Sequence, residues 1–365
     1  RYQRSEDRST HRNGHRSKTV STTSGDIEVK IPKLRSGSFF PSLLERRRRI
    51  DKALHAVIME AYVHGVSTRS VDDLVAALGV DSGISKSEVS RICAGLDREI
   101  EAFRSRTLTH TQFPYVFADA TFCKVRVGAH VVSQALVVAT GVSIEGTREV
   151  LGTAVGDSES FEFWREFLAS LKARGLAGVH LVISDAHAGL KSAVAQQFSG
   201  SSWQRCRVHF MRNLHGAVSA KHAPAVTAAV KTVFAHTDPD EVAAQWDTVA
   251  DSLAASFPKV AAMMNEAKAD VLAFTAFPRA HWQKIWSNNP IERLNKEIKR
   301  RADVVEIFPN PAAFLRLATA VVIEAHDEWQ VTRRYLSEIS MAELRKVIAA
   351  KQTAEKPVAE QLQIA

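Results

Sequence analysis

The chain has 365 residues, of which 45% are hydrophobic and 24% charged, proportions typical of a globular protein with room for more than one core. It has no apolar run near the ~18 residues of a membrane-spanning helix, and its three cysteines are too few for a disulfide framework. These features exclude a membrane protein and a small disulfide-built secreted domain, and we expect a cytoplasmic location.

The net charge of +8 is concentrated at the amino end. Residues 1–50 contain 13 Lys or Arg against 5 Asp or Glu, and the other 315 residues are balanced. Basic residues mixed with Gly, Ser and Thr suit a segment that lies along phosphates, although a solubilising tail has a similar composition. We predict a basic, DNA-contacting arm over residues 1–48, with one short strand at DIEVKIP.

Residues 49–105 have the pattern of a helical domain. Two short helical segments, SVDDLVAALGV and SKSEVSRICAGL, flank a Gly-containing turn, and Glu88 completes a capping box that begins at Ser85. An ordinary helical hairpin has this pattern too, but the neighbouring basic arm favours a helix-turn-helix that binds DNA. The residues expected to reach phosphates and base edges are Ser85, Lys86, Ser87, Ser90 and Arg91.

From residue 111 the pattern becomes that of an α/β protein with a mixed sheet. Three β-rich runs (YVFADATFCKVRV, HVVSQALVVATGV and TREVLGTAVGD) precede a helix capped by Ser158, the strand VHLVISD and a helix from about Ala188. Residues 212–280 are almost wholly helical. We predict a sheet core at 111–211 and 285–340, an all-helical insertion at 212–284, and a tail at 341–365.

Two aspartates fall where neighbouring strands would bring them together. Asp119 lies within the first strand and Asp185 at the carboxyl end of the fourth. Two close carboxylates repel unless one is protonated or a cation lies between them, and hard oxygen ligands select Mg²⁺ or Mn²⁺. An aspartate at a strand end is also a common turn residue, and Asp157 is assigned to a helix cap.

The segment SNNPIERLNKEIKRR offers a third carboxylate. Glu292 flanks the apolar stripe with Asn295 and Lys299, whereas Glu297 falls about 140° away, so one site does not easily use both glutamates. Glu292 is nearer the amino end, where the helix dipole tolerates anions. We predict Glu292 as the third ligand and Glu297 as half of an exposed pair with Arg293 or Arg301. The apolar stripe consists of Ile291, Leu294 and Ile298.

The motifs DATFCKVR, VISDAHAGL, CRVHFMRNL and NNPIERLNKEIKRR, in this order, resemble the IS256 family of bacterial insertion-sequence transposases, relatives of the Mutator-like elements. LRSGSFFPSLLERRRR and GISKSEVSRIC extend the resemblance, which runs from Tyr2 to about Leu336. It implies an RNase H-like DDE transposase with a helical insertion, in which Asp119, Asp185 and Glu292 are the catalytic residues and metal ligands of two-metal-ion phosphoryl transfer. The family usually has further residues ahead of the basic arm, so we expect the natural start to lie upstream.

The resemblance also implies a cofactor, partners and supporting residues. The cofactor is Mg²⁺ or Mn²⁺, and the partner is double-stranded DNA, at transposon ends and target, bound by a homodimer associated with the bacterial nucleoid. The Cys-x-x-His signature falls on Cys206 and His209, which implies that His209 lies beside the catalytic site. A packed core histidine is the other interpretation. Further DNA contacts are predicted at Lys124, Arg126, Lys296, Lys299 and Arg300.

Two other functions stay open at this point. A transposase-derived regulator would bind DNA without catalysis, and a nuclease with the same fold would cleave without joining. Lys124 and Arg126 fit either phosphate clamps or ordinary sheet-surface charges. Trp282 and Trp286 fit either core aromatics or platforms for unstacked bases.

Overall fold

The computed structural model describes residues 10–22, 25–36, 39, 41, 52–63, 71, 86–157, 159–332 and 334–363. The chain divides into two compact units, Arg1–Ala102 and Phe103–Ala365. None of the helices within the described ranges is long and apolar enough to cross a membrane.

The first unit contains an antiparallel hairpin within the predicted basic arm. Strands β1 (Arg12–Thr22) and β2 (Gly25–Leu34) pair along most of their length. Val20 and Ile31 are buried, whereas most other side chains of β1 are exposed. The structure therefore has two strands where the sequence predicted one, because β1 is too polar to show an alternating pattern.

The predicted helix-turn-helix lies largely outside the described residues, including Ser85 and nearly all of its first helix. What is described are helices α1 (Lys52–Val63) and α2 (Lys86–Ser105). Lys86 begins α2, and the side chains of Ser87, Ser90 and Arg91 are exposed on its first turns. The helix-turn-helix thus stays a prediction.

The second unit is built on a mixed sheet, as the sequence predicted, but the sheet has six strands where four were recognised in the sequence. The strand order is β5-β4-β3-β6-β7, and β8 also pairs with β3. Strands β3, β4 and β5 are antiparallel neighbours, whereas β6, β7 and β8 join in parallel. The strands are β3 (Tyr115–Val127), β4 (His130–Val142), β5 (Arg148–Gly156), β6 (Leu181–Ser184), β7 (Ser202–Arg205) and β8 (Ile307–Phe308).

One edge of β3 is shared by two short strands with a gap between them. Strand β6 pairs with residues 115–117, and β8 pairs with residues 124–125. Residues 118–123 have no strand partner on this edge, so their backbone groups and the nearby side chains are open to other elements. Asp119 lies within this stretch of β3, and Asp185 directly follows β6 beside it.

Helices pack against the sheet, and in the chain a helical segment separates β7 from the last strand, β8. Helix α10 (Asn289–Val305) begins at the gap in the β3 edge, and Glu306, with a φ of 60°, turns the chain from α10 into β8. The helices are α3 (Phe161–Ala173), α4 (Ala188–Gln197), α5 (Arg207–Gly216), α6 (Ala223–Val233), α7 (Pro239–Ala254), α8 (Pro258–Val271), α9 (Trp282–Ile285), α10 (Asn289–Val305), α11 (Pro311–Val331) and α12 (Glu338–Gln363).

Two local predictions around β5 and α3 were wrong. The cap of α3 is Ser160, whose hydroxyl accepts a hydrogen bond from the Phe163 N–H, rather than Ser158. Asp157 does not cap this helix, since its carboxylate accepts a bond from the Gln134 side chain (2.9 Å). Several small polar residues precede α3, and composition alone does not select among them.

The two tryptophans before α10 belong to an aromatic core. Trp282 is buried against Phe274, and Trp286 packs against Phe274 and Phe234. The guanidinium of Arg207 lies 3.9 Å from the centre of the Trp286 ring. These contacts favour the packing interpretation over a role in stacking on bases.

Candidate active site

Asp119 and Asp185 converge at the gap in the β3 edge. The parallel register aligns Phe117 with Ile183, and each aspartate lies two residues further along its strand direction. The expectation that these strands are neighbours is confirmed. Asp119 is the more buried of the two, and about half of the Asp185 side chain is exposed.

Helix α10 presents Glu292 to the same region. The predicted apolar stripe of this helix is buried against the sheet side, which fixes the rotation of the helix about its axis. One carboxylate oxygen of Glu292 is buried, and no hydrogen bond to it occurs among the described residues. A buried carboxylate oxygen without a partner is costly, and such atoms are characteristic of sites that hold a ligand.

His209 lies among the three carboxylates. Its Nδ1 is 4.0 Å from an Asp185 oxygen, and its charge acts on Asp119. Ligand atoms of His209, Cys206 and Glu292 all lie within 4.8 Å of one another. His209 therefore lies beside the carboxylates that the family resemblance implied as catalytic, and the catalytic assignment of these residues stays a prediction.

Cys206 connects the start of α5 to the residue that precedes α10. Cys206 is fully buried at the start of α5, and its sulfur accepts a backbone hydrogen bond from Asn288 (3.3 Å). Burial raises the pKa of the Cys206 thiol, and the nearby Glu292 charge raises it further. The thiol is therefore poorly suited to act as a nucleophile.

Two asparagines attach α10 to the strand that carries Asp119. The Asn295 side-chain amide donates a 2.8 Å hydrogen bond to the Asp119 carboxylate. The Asn288 side chain donates a 3.0 Å bond to the Ala118 carbonyl, which faces the gap in the strand pairing. Sequence reasoning placed Asn295 beside Glu292 on the helix but did not recognise either asparagine as part of the site.

Asp119 is held in an unfavourable environment for a charge. Burial raises its pKa to about 6, and the Asp185 charge raises it too, against lowering by His209 and the Asn295 hydrogen bond. A carboxyl group that is buried, close to a second carboxylate and only partly compensated is typical of a ligand for a cation or a proton-transfer group.

The available atoms fit a divalent cation. The three carboxylates offer the hard oxygen ligands that Mg²⁺ and Mn²⁺ prefer, and the unpaired oxygen of Glu292 and Nδ1 of His209 are both buried without partners in the described structure. The tightest set of ligand atoms, however, is Cys206, His209 and Glu292 rather than the three carboxylates. A nitrogen and a sulfur ligand suit softer ions such as Zn²⁺, so the donor set does not by itself select magnesium.

The other glutamate of α10 is fully paired on the opposite flank. Glu297 accepts hydrogen bonds from Arg300 (2.7 and 2.9 Å) and from Arg301 (3.1 Å), which lower its pKa to about 2. The predicted partner Arg301 is confirmed, and Arg300 takes the place proposed for Arg293. Arg301 also pairs with Glu324 of α11.

The predicted DNA contacts divide between different surfaces. Side chains alternate along a strand, so Lys124 and Arg126 are exposed on the face of β3 opposite to Asp119. Burial raises the pKa of Cys123 to about 11, against the lowering effect of the Lys299 charge, which places Lys299 near the Asp119 face. Lys296 and Arg300 are exposed further around α10, and Arg300 is committed to Glu297.

Comparison with known proteins gives a consistent answer. The family described as "Transposase, Mutator family" matches residues 1–332. A transposase for insertion sequence element IS1081 from Mycobacterium tuberculosis is 45% identical over 360 residues, 98% of this chain and 86% of the relative. The transposase for IS256 in transposon Tn4001 from Staphylococcus aureus is 38% identical over 339 residues, 92% of this chain and 86% of the relative.

A third relative, from Rhizobium meliloti, is the transposase for insertion sequence element ISRM5, which is 37% identical over 345 residues. The match covers 94% of this chain and 86% of the relative. The resemblance recognised from the sequence motifs is thereby confirmed. The chain belongs to the Mutator family of transposases.

Proposed function

We propose that this protein is a DDE transposase that binds the terminal inverted repeats of an insertion sequence and catalyses metal-dependent strand cleavage and strand transfer. The observation that carries the proposal is the convergence of Asp119, Asp185 and Glu292 around His209 at the open edge of β3. The names of the relatives support transposition as the process.

In this proposal the three carboxylates hold divalent cations, Mg²⁺ or Mn²⁺, a requirement that is general for such enzymes. When bound, the ions lower the pKa of an attacking hydroxyl and stabilise the leaving oxygen of a phosphodiester. The protein's own contribution is rigidity. Asp119 is fixed by Asn295, and the start of α10 is fixed to β3 and α5 through Asn288.

His209 has a supporting role in the same proposal. Its Nδ1 is buried without a partner in the described part of the chain and is 4.0 Å from Asp185. From this position it can donate a hydrogen bond to a phosphate oxygen or hold a water against Asp185. Histidine suits both tasks because its ring nitrogens can donate or accept a hydrogen bond.

Binding of the DNA is assigned to the basic first unit and to lysines near the catalytic edge. The exposed side chains of Arg12, Arg16 and Lys30 lie along the β1–β2 hairpin, in the segment that holds the whole net charge. Neutralising phosphates releases counterions, so binding of the ends should fall steeply with salt. A dimer on paired ends belongs to the proposal by analogy with transposition, which joins two ends.

The decisive experiment incubates the purified protein with DNA that contains the element ends, in Mg²⁺ or Mn²⁺. Joined products support the transposase, cleavage without joining supports a nuclease, and binding alone supports a regulator. Asp119→Asn and Asp185→Asn keep side-chain volume and should abolish cleavage while end binding remains. Near-wild-type cleavage by either variant would remove that residue from the proposed triad.

A further inference from the structure

A groove of about 880 Å³ runs along the flank of α10 that carries Glu297. It lies between α10 and α11, and Arg148 at the beginning of β5, Thr332 and Tyr335 also contribute to its walls. A cavity of this size is at the upper end of the range for small-molecule sites. A single inorganic anion would fill only a small part of it.

The groove is distinct from the catalytic cluster. None of Asp119, Asp185, Glu292, Cys206 or His209 lines it. Because residues on a helix are spaced by about 100°, Arg293 points away from Glu292 although it is the next residue. The same helix therefore presents one flank to the carboxylates and the other to the groove.

The walls of the groove carry an excess of positive charge. Six basic and three acidic side chains line it, and two of the acids, Glu297 and Glu324, are bonded to Arg300 and Arg301. This leaves only Glu328 to balance four further cations. Those four are Arg148, Lys284, Arg293 and Lys296.

Two of these cations are held over aromatic rings. The Arg148 guanidinium lies 3.7 Å from the centre of the Trp329 ring and 5.2 Å from that of Tyr335, and the Lys284 ammonium lies 4.9 Å from the Tyr335 ring. Such contacts fix the position of a cation without neutralising its charge. The rings are thus occupied as supports for the cations rather than open as platforms for bases.

The cations are also close enough to repel one another. Burial lowers the pKa of Arg148, and the charge of Arg293 lowers it further, while Tyr335 and Glu328 raise it. The Nε of Arg148 is buried and makes no hydrogen bond among the described residues. A bound anion would reduce the repulsion between these cations and could accept a hydrogen bond. A guanidinium pairs especially well with phosphate.

We propose that this groove binds the sugar-phosphate backbone of a DNA strand outside the catalytic centre. The inference rests on the proposed function, which supplies DNA as the partner. Charge favours a polyanion, the volume of about 880 Å³ favours several phosphates over one, and the occupied rings favour backbone contacts over base stacking. Binding here would be independent of base sequence.

The test measures binding of a labelled DNA strand by the full chain carrying Asp119→Asn, which prevents cleavage. Arg293→Gln with Lys296→Gln removes two exposed groove cations that form no ion pair among the described residues. We expect the slope of log K against log[salt] to become shallower by about 1.4, which is two phosphate contacts at about 0.7 each. The matched control, Lys259→Gln with Lys346→Gln, removes the same charge from exposed positions on α8 and α12 and should leave the slope unchanged.

A crosslink locates the strand. The Cys introduced by Thr332→Cys lines the groove and should form a disulfide by exchange with DNA whose backbone carries a mixed disulfide, which releases the small thiol, whereas Lys346→Cys and the unaltered cysteines should not. Equal slopes for the groove pair and its parent, or equal losses in the control pair, would overturn the proposal. So would suppression of crosslink formation by mononucleotide or phosphate at equal phosphate concentration, or stronger suppression by an acidic peptide than by DNA.

Different results would contradict the groove proposal and the proposed catalytic function. If the wild-type protein cleaves and joins ends while the groove variants bind DNA like their parent, only the groove assignment is wrong. If the groove binds DNA as expected but the wild-type protein neither cleaves nor joins with Mg²⁺ or Mn²⁺, the catalytic proposal is wrong.

Discussion

Helix α10 carries two glutamates, five residues apart, that have opposite surroundings. Glu297 is half-buried, accepts three hydrogen bonds from two arginines, and has its pKa lowered to about 2. Glu292 has a buried oxygen without a partner in the described residues, close to His209 and Cys206. An ion pair that already satisfies a carboxylate leaves it nothing to bind, so the unsatisfied glutamate is the functional candidate.

The largest expected effect comes from exchanging each glutamate for glutamine. Glu292→Gln should lower end cleavage by about 10²–10³-fold or more, the range seen when a group that stabilises the transition state is removed. It should also weaken Mn²⁺ binding, while DNA affinity stays the same or rises because a repulsive charge is lost. Quantitative cleavage assays and Mn²⁺ titrations measure both.

Glu297→Gln is the matched control for that substitution. It loses ion pairs at the protein surface that are partly exposed and together worth about 1 kcal/mol in stability, and cleavage should stay close to wild type. If both variants had equally mild effects, Glu292 would be an ordinary surface residue, and its assignment to the proposed triad would be wrong.

The next largest effect is a dependence of protein stability on pH, because burial disfavours the charged form of Asp119. Its pKa is raised from 3.8 to about 6, so the folded state holds the proton more tightly than the unfolded state. The free energy of unfolding should therefore fall as pH rises from about 4 to about 7 without divalent cations, by up to about 3 kcal/mol from this residue.

Denaturant unfolding at both pH values tests this expectation. Asp119→Asn should remove that part of the pH dependence, and Mn²⁺ at neutral pH should restore stability to the wild type but not to the variant. Identical pH dependence in the two proteins would mean that Asp119 is not held in an unfavourable state.

A smaller effect is expected from Asn295, which positions Asp119. Asn295→Ala should lower cleavage by about 10–100-fold, as is common when a residue that supports a metal ligand is lost. Asn295→Gln keeps the amide but lengthens the side chain, and Glu297→Gln again provides a control on the other flank. A change in the Mn²⁺ concentration needed for half-maximal cleavage would mark a role through Asp119, and an unchanged Mn²⁺ requirement would speak against it.

Much of the second unit was predictable because its signals are local. The three long antiparallel strands alternate or run apolar over nine or more residues, and the spacing of Ile291, Leu294 and Ile298 fixed which flank of α10 carries Glu292. Asp119 and Asp185 could be paired because each lies at a definite point of a recognisable strand. The family motifs then connected these elements.

The parts that escaped prediction depend on distant contacts. Strands β7 and β8 have four and two residues, too short for any periodicity, and β1 is polar because little of it is buried. The choice of Arg300 over Arg293 as a partner of Glu297 depends on side-chain rotamers. Asn295 could have been found, since helix geometry places it one turn from Glu292 on the same flank.

The hydrogen bonds of Asn288 join segments that are far apart in the chain. Its side chain reaches Ala118, 170 residues earlier, and its backbone reaches Cys206, 82 residues earlier. During synthesis the ribosome therefore completes the amino-terminal unit, strands β3 to β7 and both aspartates well before the glutamate that belongs with them. A chain that stops after the hairpin but before Asn288 carries every basic residue of the hairpin and no complete carboxylate cluster. Such a shortened product would occupy DNA ends, if the proposed function holds, without the means to cut them.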